Sequence, residues 1–252
     1  MSILEKEVWI DPYVSFLSCD IVEYDMKEGG YSIIREESLL TKDEIEELSH
    51  YTKDERHVKI GKLQRGNPDL SKNLQNGFRK YRLLFGEENE ISDEDILSVK
   101  KDAIFVKKYC YQLKFGNYIE FREKNIYQAF MRVEKYEFYW SPNKMDVKGI
   151  LDSNLPMFRN LLDIVDKFIR KQSTFDETAT IKYIVKVMDD YKNLRLDTSI
   201  YRPFKSPFVY HVKIGGIPVE MNEIGPDLLP FTDISYNYVH LLTPLLNIAM
   251  SK

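Results

Sequence analysis

Two stretches decide the fold of this chain. One is Glu23-Tyr24-Asp25-Met26-Lys27-Glu28-Gly29-Gly30-Tyr31-Ser32-Ile33-Ile34-Arg35. The other is Leu97-Ser98-Val99-Lys100-Lys101-Asp102-Ala103-Ile104-Phe105-Val106. Each is a short apolar, β-branched run with one carboxylate near its middle or end. A carboxylate in a strand is costly to bury unless it is paired or binds a cation. Two such acids on neighbouring strands can share metal ions, and this is the sharpest chemical lead in the chain.

Working outward, Val8-Trp9-Ile10 and Ser15 to Tyr24 read as strands joined through an Asp11-Pro12 turn. Asp25 closes the second strand, Gly29-Gly30 breaks it, and Tyr31 onward begins a helix. Thr41-Lys42-Asp43-Glu44 is a capping box opening a helix from Asp43 to about Tyr51. Asn67-Pro68-Asp69 caps a further helix, whose Leu74, Phe78, Tyr81 and Phe85 fall at helical spacing and face a core. Lys59, Lys62, Arg65, Lys72, Arg79, Lys80 and Arg82 make residues 57–82 locally cationic. The acidic run from Glu87 to Asp95 reads as solvated surface.

From Asp95 to Ile150 the chain reads as consecutive strands in an antiparallel meander. Beyond Gly149 the pattern is helical, through Leu155–Ile169, Phe175–Asn193 and Ser235–Met250, the last with a kink expected at Pro244. These readings give an α+β fold. An antiparallel sheet with helices on one face spans residues 1–150, and a mainly helical region spans 151–252.

At 43% hydrophobic and 13% aromatic residues, the chain of 252 holds enough apolar material for a sizeable core, which excludes global disorder. The net charge of −4 gives no bulk attraction to nucleic acid or acidic lipid, so any polyanion site must be a local patch. The 2 cysteines, Cys19 and Cys110, form no CxxC, and the histidines His50, His57, His211 and His240 are scattered without zinc spacing. No signal peptide or membrane-spanning run is visible. A soluble cytoplasmic protein is expected.

The run from Asp25 through Ser32-Ile33-Ile34 resembles the first palm motif of family B DNA polymerases. In that motif an Asp at a strand end is followed by a tight turn and Tyr-Pro-Ser-Ile-Ile at a helix start. Val99 to Val106 is similar to the Asp-Thr-Asp hairpin of the same family, its second acid matching Asp102. Lys124-Asn125-Ile126-Tyr127 and Met145 to Ile150, with Lys148, look like the lysine-tyrosine strand and the Val-Lys-Gly-Ile turn that follow. The order of all four agrees, over residues 20–150.

The resemblance implies a palm-like domain over 1–150 and a thumb-like region after it. It also implies Asp25 and Asp102 as catalytic ligands of Mg²⁺ or Mn²⁺. Two-metal nucleotidyl transfer needs ions about 3.5–4 Å apart, activating the attacking oxygen and the leaving pyrophosphate. Gly29, Gly30, Tyr31 and Ser32 would cradle a nucleoside triphosphate on main-chain N–H groups, aided by Lys62 and Arg65. Lys124, Tyr127 and Lys148 would meet nucleic acid. Protein partners from a replication or transcription complex follow from the same resemblance.

The chain departs from that family in three places. Its fingers consensus is absent, Lys100 and Lys101 stand at the first hairpin acid and its neighbour, and the position where an aromatic excludes a ribose 2′-hydroxyl is Gly30, or Tyr31 if the turn is one residue longer. A minimal or retired polymerase of phage or mobile-element source is implied. Other readings stand beside it. Asp25 caps the following turn, Asp102 pairs with a lysine, and the strand aromatics are core. The protein is then a non-catalytic nucleic-acid-binding accessory or a structural protein. A metal-dependent nuclease needs similar carboxylates.

Overall fold

The structure, a computed structural model, describes residues 2–174, 176–204, 213–214, 217–218 and 235–251. The chain forms two compact units, Met1–Tyr13 with Cys19–Tyr127 and Val14–Ser18 with Gln128–Lys252. The division follows Tyr127, whereas the sequence pattern suggested one after Ile150.

In the first unit the strands are β1 (Trp9–Ile10), β3 (Ile21–Met26), β4 (Ile96–Val99), β5 (Ala103–Val106), β6 (Lys114–Phe115) and β7 (Ile119–Tyr127). They make one antiparallel sheet in the order β1-β4-β5-β3-β7-β6. The β4–β5 hairpin is the second of the two deciding stretches. β3 lies between β5 and β7, so the strands after Asp95 are not a simple meander: the earlier strand fills the centre.

Side chains alternate across a strand. Val22, Tyr24 and Met26 of β3 face the core, with Ile104 and Val106 of β5. Glu23 and Asp25 take the alternate positions.

The helices of this unit are α1 (Gly29–Glu36), α2 (Lys42–Ser49), α3 (Lys53–Gly66) and α4 (Pro68–Glu88). The Thr41 capping box forms as expected, and Thr52 with Glu55 makes a second one that starts α3. Asn67 caps α4 by accepting from Leu70 N at 3.0 Å. Phe85 packs on Phe121 with ring centroids 4.5 Å apart. Tyr109 to Phe115, expected as a strand, pairs only at its end. Asn89 accepts from Tyr111 N and Gln112 N and donates to Gln112 O, so a side chain supplies the partners a ladder would have supplied.

In the second unit β2 (Phe16–Leu17) joins β8 (Ala129–Val133), β9 (Tyr136–Ser141) and β10 (Lys144–Lys148) in the order β10-β9-β8-β2. The run Ser15 to Tyr24 is therefore two strands with different partners. Behind this sheet come α5 (Arg159–Ser173) and α6 (Glu177–Lys192). A short pair, β11 (Lys213–Ile214) with β12 (Ile217–Pro218), precedes α7 (Ser235–Asn237).

A π-helical stretch, Tyr238–Leu242, leads into α8 (Thr243–Met250). Thr243 N reaches back to Tyr238 O there, five residues earlier, and Pro244 has no N–H to donate. The core of this unit gathers Phe138, Trp140, Val165, Phe168, Ile184 and Leu245. Both units mix antiparallel sheet with helix, so the fold class is α+β.

Candidate functional site

The end of β3 is held from both sides. Met26 N donates to Asp102 O at 2.8 Å, and Lys27 N donates to Glu120 O at 2.8 Å. Asp25 lies across from Ala103 on β5 and from Arg122 on β7. The main chains of two acids far apart in sequence thus lie one ladder rung apart. The Asp25 carboxylate is 3.0 Å from Arg122 Nη2 and 3.9 Å from Lys124 Nζ. Asp102 is partly exposed, and among the described residues no hydrogen bond or ion pair holds its carboxylate.

Glu23, two residues before Asp25, is a functional candidate that sequence reasoning missed. It is 2% exposed. Its oxygens accept from Lys124 Nζ at 3.0 Å, Asn125 Nδ2 at 2.6 Å and the Tyr127 hydroxyl at 3.0 Å. Burial works to lower the Lys124 pKa. The hydrogen bond to Glu23 and the charges of Glu23, Asp25 and Asp102 outweigh it and hold the ammonium above the ordinary lysine value. All three acids therefore act on one lysine. A strand carboxylate spaced two residues from Asp25 was the signal available in the sequence.

Beside this strand end is a cavity of about 180 Å³. Its base is Gly29, Ile60 and Phe78, and one wall is the Lys101–Asp102 turn. The opposite wall is α3, through Lys53, Arg56, His57 and Gln64. α1 opens onto it with no side chain capping its first N–H groups. The turn into α1 passes through Glu28 at φ 48°. Gly29 is required by a close approach: a Cβ there would lie 2.7 Å from the Phe78 ring. Arg56 pairs with Glu28 at 3.2 Å and lies over the Tyr31 ring, while its Nε is buried without a hydrogen-bond partner. Unpaired N–H groups at a helix start, with cations around them, suit a phosphate.

The residues named from sequence fall in several places. Gly29, Gly30 and Tyr31 line the cavity with Asp102. Ser32 does not offer its hydroxyl there, since it donates to Lys27 O at 2.8 Å and closes the turn. Lys62 lines a different groove with Glu44, Glu47 and Lys59. At about 100° per residue, it lies opposite the face of α3 that carries Arg56 and Gln64. Arg65 bonds back to Gly61 O at 3.2 Å. The α3 cations on the cavity are Lys53 and Arg56, nearer the start of the same helix, which the sequence reading did not place.

Tyr127 is 1% exposed, its ring stacked on Phe105 and its hydroxyl on Glu23, so it serves Lys124 from inside. Lys148 is on β10 in the second unit, opposite Glu137. His211 lies outside the described residues.

Arg82 of α4 is the other unanticipated group. It is 2% exposed, and each of its three nitrogens donates to a main-chain carbonyl, of Leu4 at 3.1 Å, Lys6 at 2.8 Å and Lys101 at 2.5 Å. Burial brings its pKa down to about 10, against the opposing pull of Glu7 and Asp102. A buried cation without a touching counterion costs several kcal/mol, so its hydrogen bonds must offset that cost.

The donor set can be weighed against the divalent cation that the resemblance implies. No group of three or more His, Cys, Asp or Glu side chains is placed to hold a metal among the described residues. Mg²⁺ commonly binds through one or two carboxylates together with substrate phosphates, keeping several waters. In that mode Asp102, whose carboxylate has no hydrogen-bond or ion-pair partner among the described residues, is the available ligand, since Asp25 is already paired with Arg122 and lies near Lys124.

Fold and geometry together define an α+β protein in which Asp102, beside the end of β3, lines a cavity that also carries Lys53, Arg56 and Lys101. A family profile described as "Bacteriophage PBS1 gene 130 protein" matches residues 1–251, and the chain belongs to that family. A phage family agrees with the phage source implied by the sequence. No curated protein matches the chain. No helix among the described residues is long and apolar enough to cross a membrane.

Proposed function

We propose that the first unit is a palm-type nucleotide site for phosphoryl transfer, acting on nucleoside triphosphates and nucleic acid. What supports it is the Met26 N to Asp102 O bond, which sets the main chain of Asp102 one rung from Asp25, with Asp102 lining a cavity that also carries Lys53, Arg56 and Lys101. In this reading the triphosphate lies at the start of α1, contacted by Lys53, Arg56 and Lys101. Asp25 and Asp102 hold a Mg²⁺ or Mn²⁺ ion that arrives with it. Such an ion would stabilise charge developing on the phosphoryl oxygens. Glu23 keeps Lys124 charged and directed at the pair. Gly30 adds no bulk against a ribose, because a Cβ there would meet only Ile60 at 3.8 Å.

A second reading is favoured by the pairing of Asp25 with Arg122 and Lys124. With that acid already neutralised, the site binds phosphate groups of nucleic acid without metal or turnover, as an accessory protein would. One experiment separates the two. The purified chain is titrated with nucleoside triphosphate, with Mn²⁺ and with chelator, and is then offered primer-template. Loss of about tenfold in triphosphate affinity is expected for Arg56→Ala, the size of one charge-assisted contact. Incorporation abolished by Asp25→Asn and Asp102→Asn supports the enzyme. Binding that persists in chelator with no incorporation supports the accessory protein. Affinity unchanged in Arg56→Ala removes both.

A further inference from the structure

We infer that Arg82 is a positioning residue for Asp102, gripping the carbonyl of Lys101 and so fixing the Lys100–Asp102 turn against α4 and the amino-terminal segment. What this does for cation binding rests on the function proposed above; the positioning itself rests only on geometry.

Position 82 belongs to the core face of α4, next to Tyr81 and three residues before Phe85, where an apolar side chain is the ordinary choice. The arginine there spends its donors on Leu4 O, Lys6 O and Lys101 O. Among the described residues no carboxylate stands within ion-pair distance of it. A planar fork can meet three carbonyls from two chain segments at once, which a lysine cannot.

The same helix holds Lys101 a second time, one turn earlier, where the ammonium lies 5.2 Å from the centre of the Phe78 ring. The turn is also tied to its neighbours through Lys100 N to Ala103 O and Met26 N to Asp102 O, each 2.8 Å. Asp102 therefore hangs from a main chain clamped on the residue before it and the residue after it.

The test uses the full chain and Arg82→Lys. The control is Arg79→Met, which removes the Glu5 pair of the same helix without touching the turn. Amide exchange at Lys100 and Met26 is expected to quicken about tenfold in Arg82→Lys, with the β9 amides unchanged, as a local opening requires. Mn²⁺ affinity should fall by about tenfold in parallel. Unchanged exchange at Lys100 and Met26 in a folded variant overturns the assignment. So does exchange raised evenly throughout, or unchanged Mn²⁺ affinity where the wild type binds.

Should the wild type hold no Mn²⁺, the cation site fails, and exchange alone decides for or against Arg82. If the variant does not fold, the wild type still answers. Its Arg82 Nε–H should exchange about 100-fold more slowly than that of Arg79, and equal rates refute the clamp.

Discussion

At the scale of single residues, the site is a small ledger of charge. Three acids, Glu23, Asp25 and Asp102, share the influence of Lys124, and Arg122 adds a second cation to Asp25. Glu23 is the most deeply placed and has the most partners. Because Lys124 is 41% exposed, its pair with Glu23 contributes less than a sealed one would. The cost of losing Glu23 comes mainly from the three hydrogen bonds its buried carboxylate accepts from Lys124, Asn125 and Tyr127. Glu23→Ala should therefore lose about 2–3 kcal/mol, and Tyr127→Phe about 1 kcal/mol, in urea denaturation. Equal stability of Glu23→Ala and wild type would mean that water replaces these contacts at no cost. Asp25 was legible in the sequence as an acid at a strand end. Glu23 was not, because nothing local distinguishes a buried carboxylate from an exposed one on an alternating strand.

At the scale of elements, glycines show which helices touch. A Cβ on Gly77 of α4 would lie 2.4 Å from Ile33 Cγ2 of α1, so the two helices pack at backbone distance. On Gly61 of α3 a Cβ meets nothing within 4 Å. Alanine gains helix propensity of about 1 kcal/mol over glycine at either place. At Gly77 overpacking of about 1–3 kcal/mol works against that gain. Gly61→Ala should raise the melting temperature and Gly77→Ala should lower it. If both rise, α1 gives way more easily than its packing implies. The Thr41 capping box and the face of α4 were readable because caps and helical spacing are local. That α3 turns Arg56 and not Lys62 to the cavity was not, because the phase of a helix is set by what it packs on.

At the scale of the molecule, both units bury phenols. Burial pushes Tyr24 and Tyr183 up to about 12, and moves Tyr81 and Tyr136 upward as well. A folded-state pKa above the ordinary value of 10 contributes stability that is complete below pH 10. That contribution is lost as pH rises through about 12. An alkaline titration should thus show phenolate absorbance rising in step with the loss of circular dichroism across that window. Phenols that all ionise at the ordinary value, with the fold intact, would contradict the burial described for them.

The sequence alone determined the α+β class, the caps, the breaks around Gly29 and the presence of an acid at each of two strand ends. These depend on residues within a few positions of one another. Only the tertiary structure decided that β3 sits between β5 and β7, that the main chains of Asp25 and Asp102 lie on neighbouring rungs, and that Ser15 to Tyr24 divides between two sheets. Strand partners are chosen by burial and hydrogen bonding across long loops, and alternation along one strand is the same whichever neighbour it finds.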